Sequence, residues 1–256
     1  MDMPGEKSIL ITGGARRIGA ALTRALARDG WYVCIHYNRS RTDAELVLAE
    51  ITGAGGDGVL VAADLSDPAA PESLIARARD IAPPLTGLIN NASLFEYDTV
   101  SSMTHESLDR HHAVNLRAPM LLSKAFAESL DEWSDGCVIN MLDNKVFAIN
   151  PDYLAYTMSK VALHGATQAL AMALAPRVRV NAIAPGITLE SGGQGERSFQ
   201  RGARMSPLGR VSSVEDITRA ARFILDTPSL NGQVIAIDGG QHLQKLPRDV
   251  AFMEDC

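Results

Sequence analysis

Apolar residues fall into two patterns that alternate along the chain. Short, nearly unbroken runs predict strands over 8–12, 31–37, 59–62, 88–90, 137–142, 178–184 and 234–237. Between them, apolar residues recur at helical spacing over 18–27, 43–51, 68–81, 105–130, 153–174 and 214–225. Turn residues punctuate the series. Gly13-Gly14 ends the first strand, Asp29-Gly30 stops the first helix, Gly53 closes the second, and Pro68 takes a favoured place near the start of the third. The stretch 105–130 is long for one helix, and an irregularity is expected near Pro119.

Strand–helix alternation from end to end implies right-handed βαβ units. The expected fold is α/β: a single-domain, Rossmann-type, doubly wound parallel sheet of about seven strands with helices on both faces. Runs such as Val33-Cys34-Ile35 agree, because strands of a parallel sheet are buried on both faces. No linker, repeat or composition break divides the chain, so residues 1–243 are read as one domain. The weakly periodic stretch 244–256 is read as a peripheral tail. Residues 190–204 are polar and glycine-rich, and with their flanks (186–210) they read as a long loop of the kind that closes over ligands.

Composition removes several function classes. A net charge of −6 with scattered basic residues argues against nucleic acid or an anionic membrane surface as the main partner. No apolar run reaches membrane-spanning length, and the N-terminus lacks a signal-peptide core. The three cysteines, Cys34, Cys137 and Cys256, are far apart and odd in number, which excludes a disulfide framework and a zinc spacing. His111-His112 point to different sides of a helix, so no metal site is expected. A reducing cytoplasm is the expected compartment.

Candidate chemistry sits at the C-terminal strand ends, where open parallel sheets bind ligands. The first strand ends in Thr12-Gly13-Gly14-Ala15-Arg16-Arg17-Ile18-Gly19. Glycines there allow a tight turn against a pyrophosphate, which the next helix N-terminus would receive. The second strand ends in Tyr37-Asn38-Arg39-Ser40 with no acidic residue to take a ribose 2′-hydroxyl. With Arg16 nearby, this end suits a 2′-phosphate, hence NADPH. Asp64 and Leu65 are expected near the adenine, and Asn91, Ala92 and Ser93 on the nicotinamide side. Tyr156 and Lys160 are four apart and share a helix face, pairing a phenol with an ammonium. Asp143 lies at the polar end of the fifth strand. It reads either as a cap on the turn before Asn144-Lys145 or as a carboxylate that shares a proton with Tyr156.

Together, Thr12-Gly13 with Gly19, Asn90-Asn91-Ala92, Asn115, Tyr156-x-x-x-Lys160, Pro185-Gly186 and Asp238-Gly239-Gly240 resemble the short-chain dehydrogenase/reductase family over residues 9–243. Arg17 for the middle glycine, Ser93, Phe95 and Asp143 for the usual serine resemble its pteridine reductases and dihydromonapterin reductases. The resemblance implies that NADPH reduces a pterin-like substrate, with Asp143, Tyr156, Lys160 and Asn115 as the catalytic set. Tyr156 would donate the proton, with Lys160 and the oxidised nicotinamide lowering its pKa. Lys160 would also bind the nicotinamide ribose. Asn115 would bend its helix and hold a water behind Lys160. Arg17, Ser93, Phe95, Asp143 and Tyr156 would hold the pterin, Phe95 by stacking. Gly13, Arg16, Arg17, Ile18, Gly19, Pro185 and Gly186 would border the cofactor. The resemblance further implies a homotetramer. A general carbonyl or 3-oxoacyl thioester reductase, or a non-catalytic NADPH-binding sensor, are the competing readings.

Overall fold

The computed structural model describes residues 7–190 and 196–253. Seven strands form one sheet: β1 (Ser8–Ile11), β2 (Tyr32–Tyr37), β3 (Asp57–Ala62), β4 (Leu85–Asn90), β5 (Gly136–Met141), β6 (Val178–Pro185) and β7 (Val234–Ile237). All neighbours pair in parallel, in the order β3-β2-β1-β4-β5-β6-β7. The chain direction across the sheet reverses between β1 and β4, which opens a crevice beyond their C-terminal ends.

Strand alternation sorts the core into two layers. Ile9, Ile11, Val33 and Ile35 point to one face, with Leu22 and Leu26 of α1 (Arg17–Arg28), Ile51 of α2 (Arg41–Gly53) and Ile217 and Ile224 of α8 (Val214–Asp226). Leu10, Cys34, Leu88, Val138 and Val180 point to the other face. There they meet Leu74 of α3 (Ala70–Ile81), Phe126 of α5 (Ala118–Ser129) and Ala171 of α6 (Leu154–Ala173). Cys34 and Cys137 are core residues, and burial pushes their thiols up to about 12 and about 11. Among the described residues no helix is long and apolar enough to cross a membrane, and no cluster could hold a metal ion.

One expectation holds and two are corrected. The long helix is irregular just before Pro119, over a turn that contains Asn115. α4 (His105–His112) passes through a π-helical turn, Ala113–Arg117, into α5, and Pro119 takes the early position where its missing N–H costs nothing. The polar stretch 190–204 is not all loop, because α7 (Glu196–Met205) occupies its second part; residues 191–195 lie outside the described residues. The tail is not peripheral. Val250 is buried, and Val250–Phe252 forms a 3-10 turn against the substrate side of the crevice.

Candidate active site

A cavity of about 610 Å³ occupies the crevice. Its nucleotide end is built from backbone. Gly13 has φ +63, and a Cβ there would crowd Ala92 and Asn91. A Cβ at Gly19 would collide with the Gly13 carbonyl, so α1 can approach the turn only without a side chain. Arg17 holds the left-handed φ of +53 that a glycine would adopt more readily, a cost of about 1–2 kcal/mol. Asn91 Nδ2 donates to the Thr12 and Gly13 carbonyls (2.9 and 3.2 Å), and Thr12 Oγ1 accepts from the Asn91 and Ala92 N–H groups. The glycine turn is thus tied to the end of β4.

The sequence places His36 at the end of the second strand beside Tyr37-Asn38-Arg39-Ser40 without giving it a role of its own; in the fold it braces the same turn. The Gly13 N–H donates to His36 Nδ1 at 3.0 Å, so the ring's proton sits on Nε2, which faces the Ala63 carbonyl at 3.1 Å. Burial lowers its pKa to about 4, which keeps the acceptor nitrogen unprotonated.

Two helix N-termini reach this end without a cap of their own. Neither Arg16, before α1, nor Ser40, before α2, makes a side-chain capping bond, whereas α4 and α8 start in complete capping boxes. Uncapped N–H groups and positive dipole ends beside a glycine cradle fit a pyrophosphate and a further phosphate. Arg16, Ile18, Tyr37, Asn38 and Ser40 line the cavity, and Arg39 stands exposed between the last two. Asp64 and Leu65 do not line it. Asp64 accepts from the Ser66 hydroxyl and N–H (2.7 and 3.0 Å), and Leu65 is buried in the core.

The substrate end is made of side chains. Tyr156 Oη donates to Asp143 Oδ2 at 2.8 Å, while Asp143 Oδ1 accepts the Lys145 N–H at 2.9 Å. Asp143 therefore caps its turn and meets the phenol at once; the two readings of the sequence describe its two oxygens. Lys160 Nζ donates to the Met141 carbonyl at 2.7 Å. A buried network of Asn90, Asn140 and Thr167 fixes α6 under the sheet (2.8 and 3.0 Å). Tyr153 begins α6 in a left-handed conformation (φ +55) and does not cap it; Asp98 does so from another loop by accepting the Ala155 N–H at 3.0 Å.

Electrostatics here oppose one expectation. Burial and the Asp143 charge push the Tyr156 phenol well above its ordinary value, outweighing any pull from Lys160 in the chain itself. Burial also raises the Asp143 carboxyl, against the pull of the Lys145 N–H and the Lys145 ammonium, of Tyr156 and of Lys160. Burial lowers Lys160 to about 8, against the pull of Asp143.

Asn115 sits inside the π-helical turn, fully buried. Its side chain is spent on protein: Nδ2 donates to the Leu94 carbonyl and Ser159 Oγ, and Oδ1 accepts from the Leu94 N–H and Ser93 Oγ. It braces the 93–94 loop and reaches Ser159, the neighbour of Lys160. Arg17 reaches across the cavity mouth, donating to the Glu190 carbonyl at 2.7 Å. Phe95 lines the cavity with one face stacked on Tyr153 (4.3 Å, 16°) and its ring edge-on to Tyr156 (4.7 Å, 84°). Pro185 and Gly186 line the cavity where β6 ends. Residues 187–189, within the 186–210 stretch expected to close over ligands, line it too; Lys145, Asp249 and Val250 also line it and sequence reasoning missed them, although Lys145 is Asp143's near neighbour.

Comparison with known proteins agrees with this architecture. A family model described as enoyl-(acyl carrier protein) reductase matches residues 13–242. The crystal structure of FolM alternative dihydrofolate reductase 1 from Brucella canis, complexed with NADP, is 43% identical with a TM-score of 0.91, covering 94% of this chain and 96% of that one. An uncharacterized oxidoreductase of Methylorubrum extorquens is 32% identical over 91% of this chain and 97% of its own length. A 3-oxoacyl-[acyl-carrier-protein] reductase of Synechocystis is 30% identical over 90% and 95%. With its parallel sheet, glycine turn and Tyr156/Lys160 helix, the chain belongs to the short-chain dehydrogenase/reductase family.

Proposed function

We propose that this chain reduces a pteridine at a C=N bond, a dihydropterin being the expected substrate. The chain is an NADP(H)-dependent oxidoreductase. When bound, NADPH supplies a hydride, which for a dihydropterin goes to C6 while a proton goes to N5. The observation that carries the pteridine reading is the Asp143–Tyr156 bond at 2.8 Å, in a cavity that Phe95 also lines. A carboxylate in this place accepts from amino and ring N–H groups, which a pterin has and a simple ketone lacks. The FolM dihydrofolate reductase named above, at 43% identity, supports the same reading.

Each residue then has a task. Burial and Asp143 keep Tyr156 protonated at neutral pH, so it holds a proton beside the reacting bond. Asp143 orients that hydroxyl and takes the substrate's N–H groups. Lys160 binds the nicotinamide ribose, Phe95 offers an aromatic face, and Ser93 and Arg17 contribute polar contacts at the two edges. Arg16, Arg39 and Ser40 take the 2′-phosphate. Asn115 positions the 93–94 loop. Residues up to 243 carry the cofactor fold and the 248–252 segment completes the cavity wall; four copies form a homotetramer through the long helices α4–α5 and α6, where Met120 and Met172 stand exposed. A monomer by light scattering would remove that last statement.

NADPH oxidation with dihydrobiopterin and dihydromonapterin, set against acetoacetyl-CoA and quinones, tests the function. Turnover of a pterin with weak or no carbonyl reduction is expected. The second reading, a 3-oxoacyl thioester reductase, draws on the Synechocystis relative and predicts the reverse ranking.

A further inference from the structure

Lys145 is a buried ammonium beside the site and has no part in the chemistry above. Its Nζ donates to Asn150 Oδ1 at 2.8 Å and to the Asp152 carbonyl at 3.4 Å, and pairs with Asp249 Oδ2 at 2.8 Å. The side chains of this pair are 8% and 13% exposed. A buried ammonium of this kind requires a partner charge, and Asp249 supplies it. Lys145's other end, its backbone N–H, holds Asp143 Oδ1. One residue therefore joins the C-terminal segment to the carboxylate that meets Tyr156.

The segment that delivers Asp249 is itself anchored. Arg248 makes a bidentate ion pair with the buried Asp152 (Nε–Oδ2 2.8 Å, Nη2–Oδ1 2.7 Å), and the Asp249 N–H adds a bond to Asp152 Oδ2 at 2.8 Å. Phe252 packs on Tyr97 (4.6 Å) and on Tyr153 (5.9 Å), the ring that stacks on Phe95. Asp249 and Val250 line the cavity.

Resting on the reading of Asp143 and Tyr156 given above, we propose that the chain's own C-terminal segment, residues 248–252, is a wall of the substrate pocket. Within it, Asp249 is a positioning residue that acts through Lys145 on Asp143. The tail is thereby part of the site of the same chain that carries Tyr156. Loss of the Asp249 charge frees the Lys145 ammonium to move toward water or toward Asp143, and the 143–146 turn loses the register that sets the Asp143–Tyr156 bond.

The test uses the full chain with Asp249→Asn, Asp249→Glu and the double variant Lys145→Met/Asp249→Leu. For Asp249→Asn, kcat/KM for dihydrobiopterin is expected to fall at least tenfold, with the NADPH Kd from fluorescence titration within twofold of wild type. Asp249→Glu should recover part of the loss. The double variant replaces a buried ion pair by apolar side chains, a change that often preserves stability; it should keep Tm and still turn over poorly. Wild-type kcat/KM in Asp249→Asn, or restored turnover in the double variant, overturns the proposal and leaves the pair a stabilising contact alone. Failure of wild type on every pterin refutes the pteridine reading instead, and the variants are then ranked on acetoacetyl-CoA. A crystal structure of Asp249→Asn gives a readout that needs no substrate: the Asp143–Tyr156 bond should be broken, and an unmoved 143–146 turn contradicts the proposal.

Discussion

The two ends of the crevice are built by different means. The nucleotide end is mostly backbone: a glycine turn, two uncapped helix N-termini and the ends of β1, β2 and β4, close together in the first part of the chain. The substrate end is mostly side chains, gathered from 93–97, 143–145, 153–160 and 248–252. The first, the proposed NADPH end, needs little beyond shape and N–H groups. The second selects a substrate, so it depends on charges and rings held by distant partners. Strain is placed at both. Among the described residues the non-glycine residues with positive φ are Arg17 and Tyr153, each at the start of a helix bordering the crevice.

The largest effect should come from the substrate end. Tyr156→Phe removes the positioned proton donor, and a loss of roughly 10²–10⁴ in kcat is expected with NADPH affinity retained; stopped-flow NADPH oxidation measures it, and a near-wild-type rate would return the comparison to one of shape alone. At the nucleotide end, Gly19→Ala forces a methyl into the Gly13 carbonyl. Overpacking of this kind costs about 1–3 kcal/mol. Weaker NADPH binding by fluorescence titration and a lower Tm are expected, and unchanged values would mean that the turn relaxes freely. Arg39→Ala should raise the KM for NADPH by roughly tenfold or more, from loss of a charge-assisted hydrogen bond, and leave that for NADH nearly unmoved. Equal effects on the two cofactors would remove Arg39 from the 2′-phosphate site.

The smallest effect concerns His36. Its folded pKa of about 4 lies below the ordinary 6.5, so between these values the unfolded chain binds more protons. The stability that the neutral ring contributes is fully present above about pH 6.5 and is lost as pH falls toward 4. Chemical denaturation at several pH values should show that slope, and His36→Gln should flatten it. An equal slope in both proteins would dissociate His36 from the acid sensitivity of the nucleotide end.

The same division explains what the sequence made legible. The sheet was readable because its strands are short and apolar and its helices carry a 3.6-residue period, two signals that do not mix. The glycine turn was readable because its chemistry lies in one contiguous stretch. α7 was not, since ERSFQRGARM is polar overall, carries a glycine at 202 and follows a glycine-rich stretch, which together read as loop. The π-helical turn was legible only as an irregularity near Pro119 and a bend at Asn115; its π geometry, continuous with the flanking helices, leaves no pattern of its own. The tail was misread because Arg248, Asp249 and Phe252 find their partners about a hundred residues or more earlier, at Asp152, Lys145, Tyr153 and Tyr97. Pairings of that range leave no local pattern.

The central claim is that Asp143, through its bond to Tyr156, makes this a pteridine reductase and not a general carbonyl reductase. Steady-state kinetics of Asp143→Ser with dihydrobiopterin and acetoacetyl-CoA test it most directly. The account predicts a fall in pterin kcat/KM of about 10- to 100-fold, the worth of a hydrogen bond to a charged group, with unchanged NADPH binding and a gain in carbonyl reduction. Pterin kinetics equal to wild type would contradict it and leave Asp143 as the cap of the turn at Lys145.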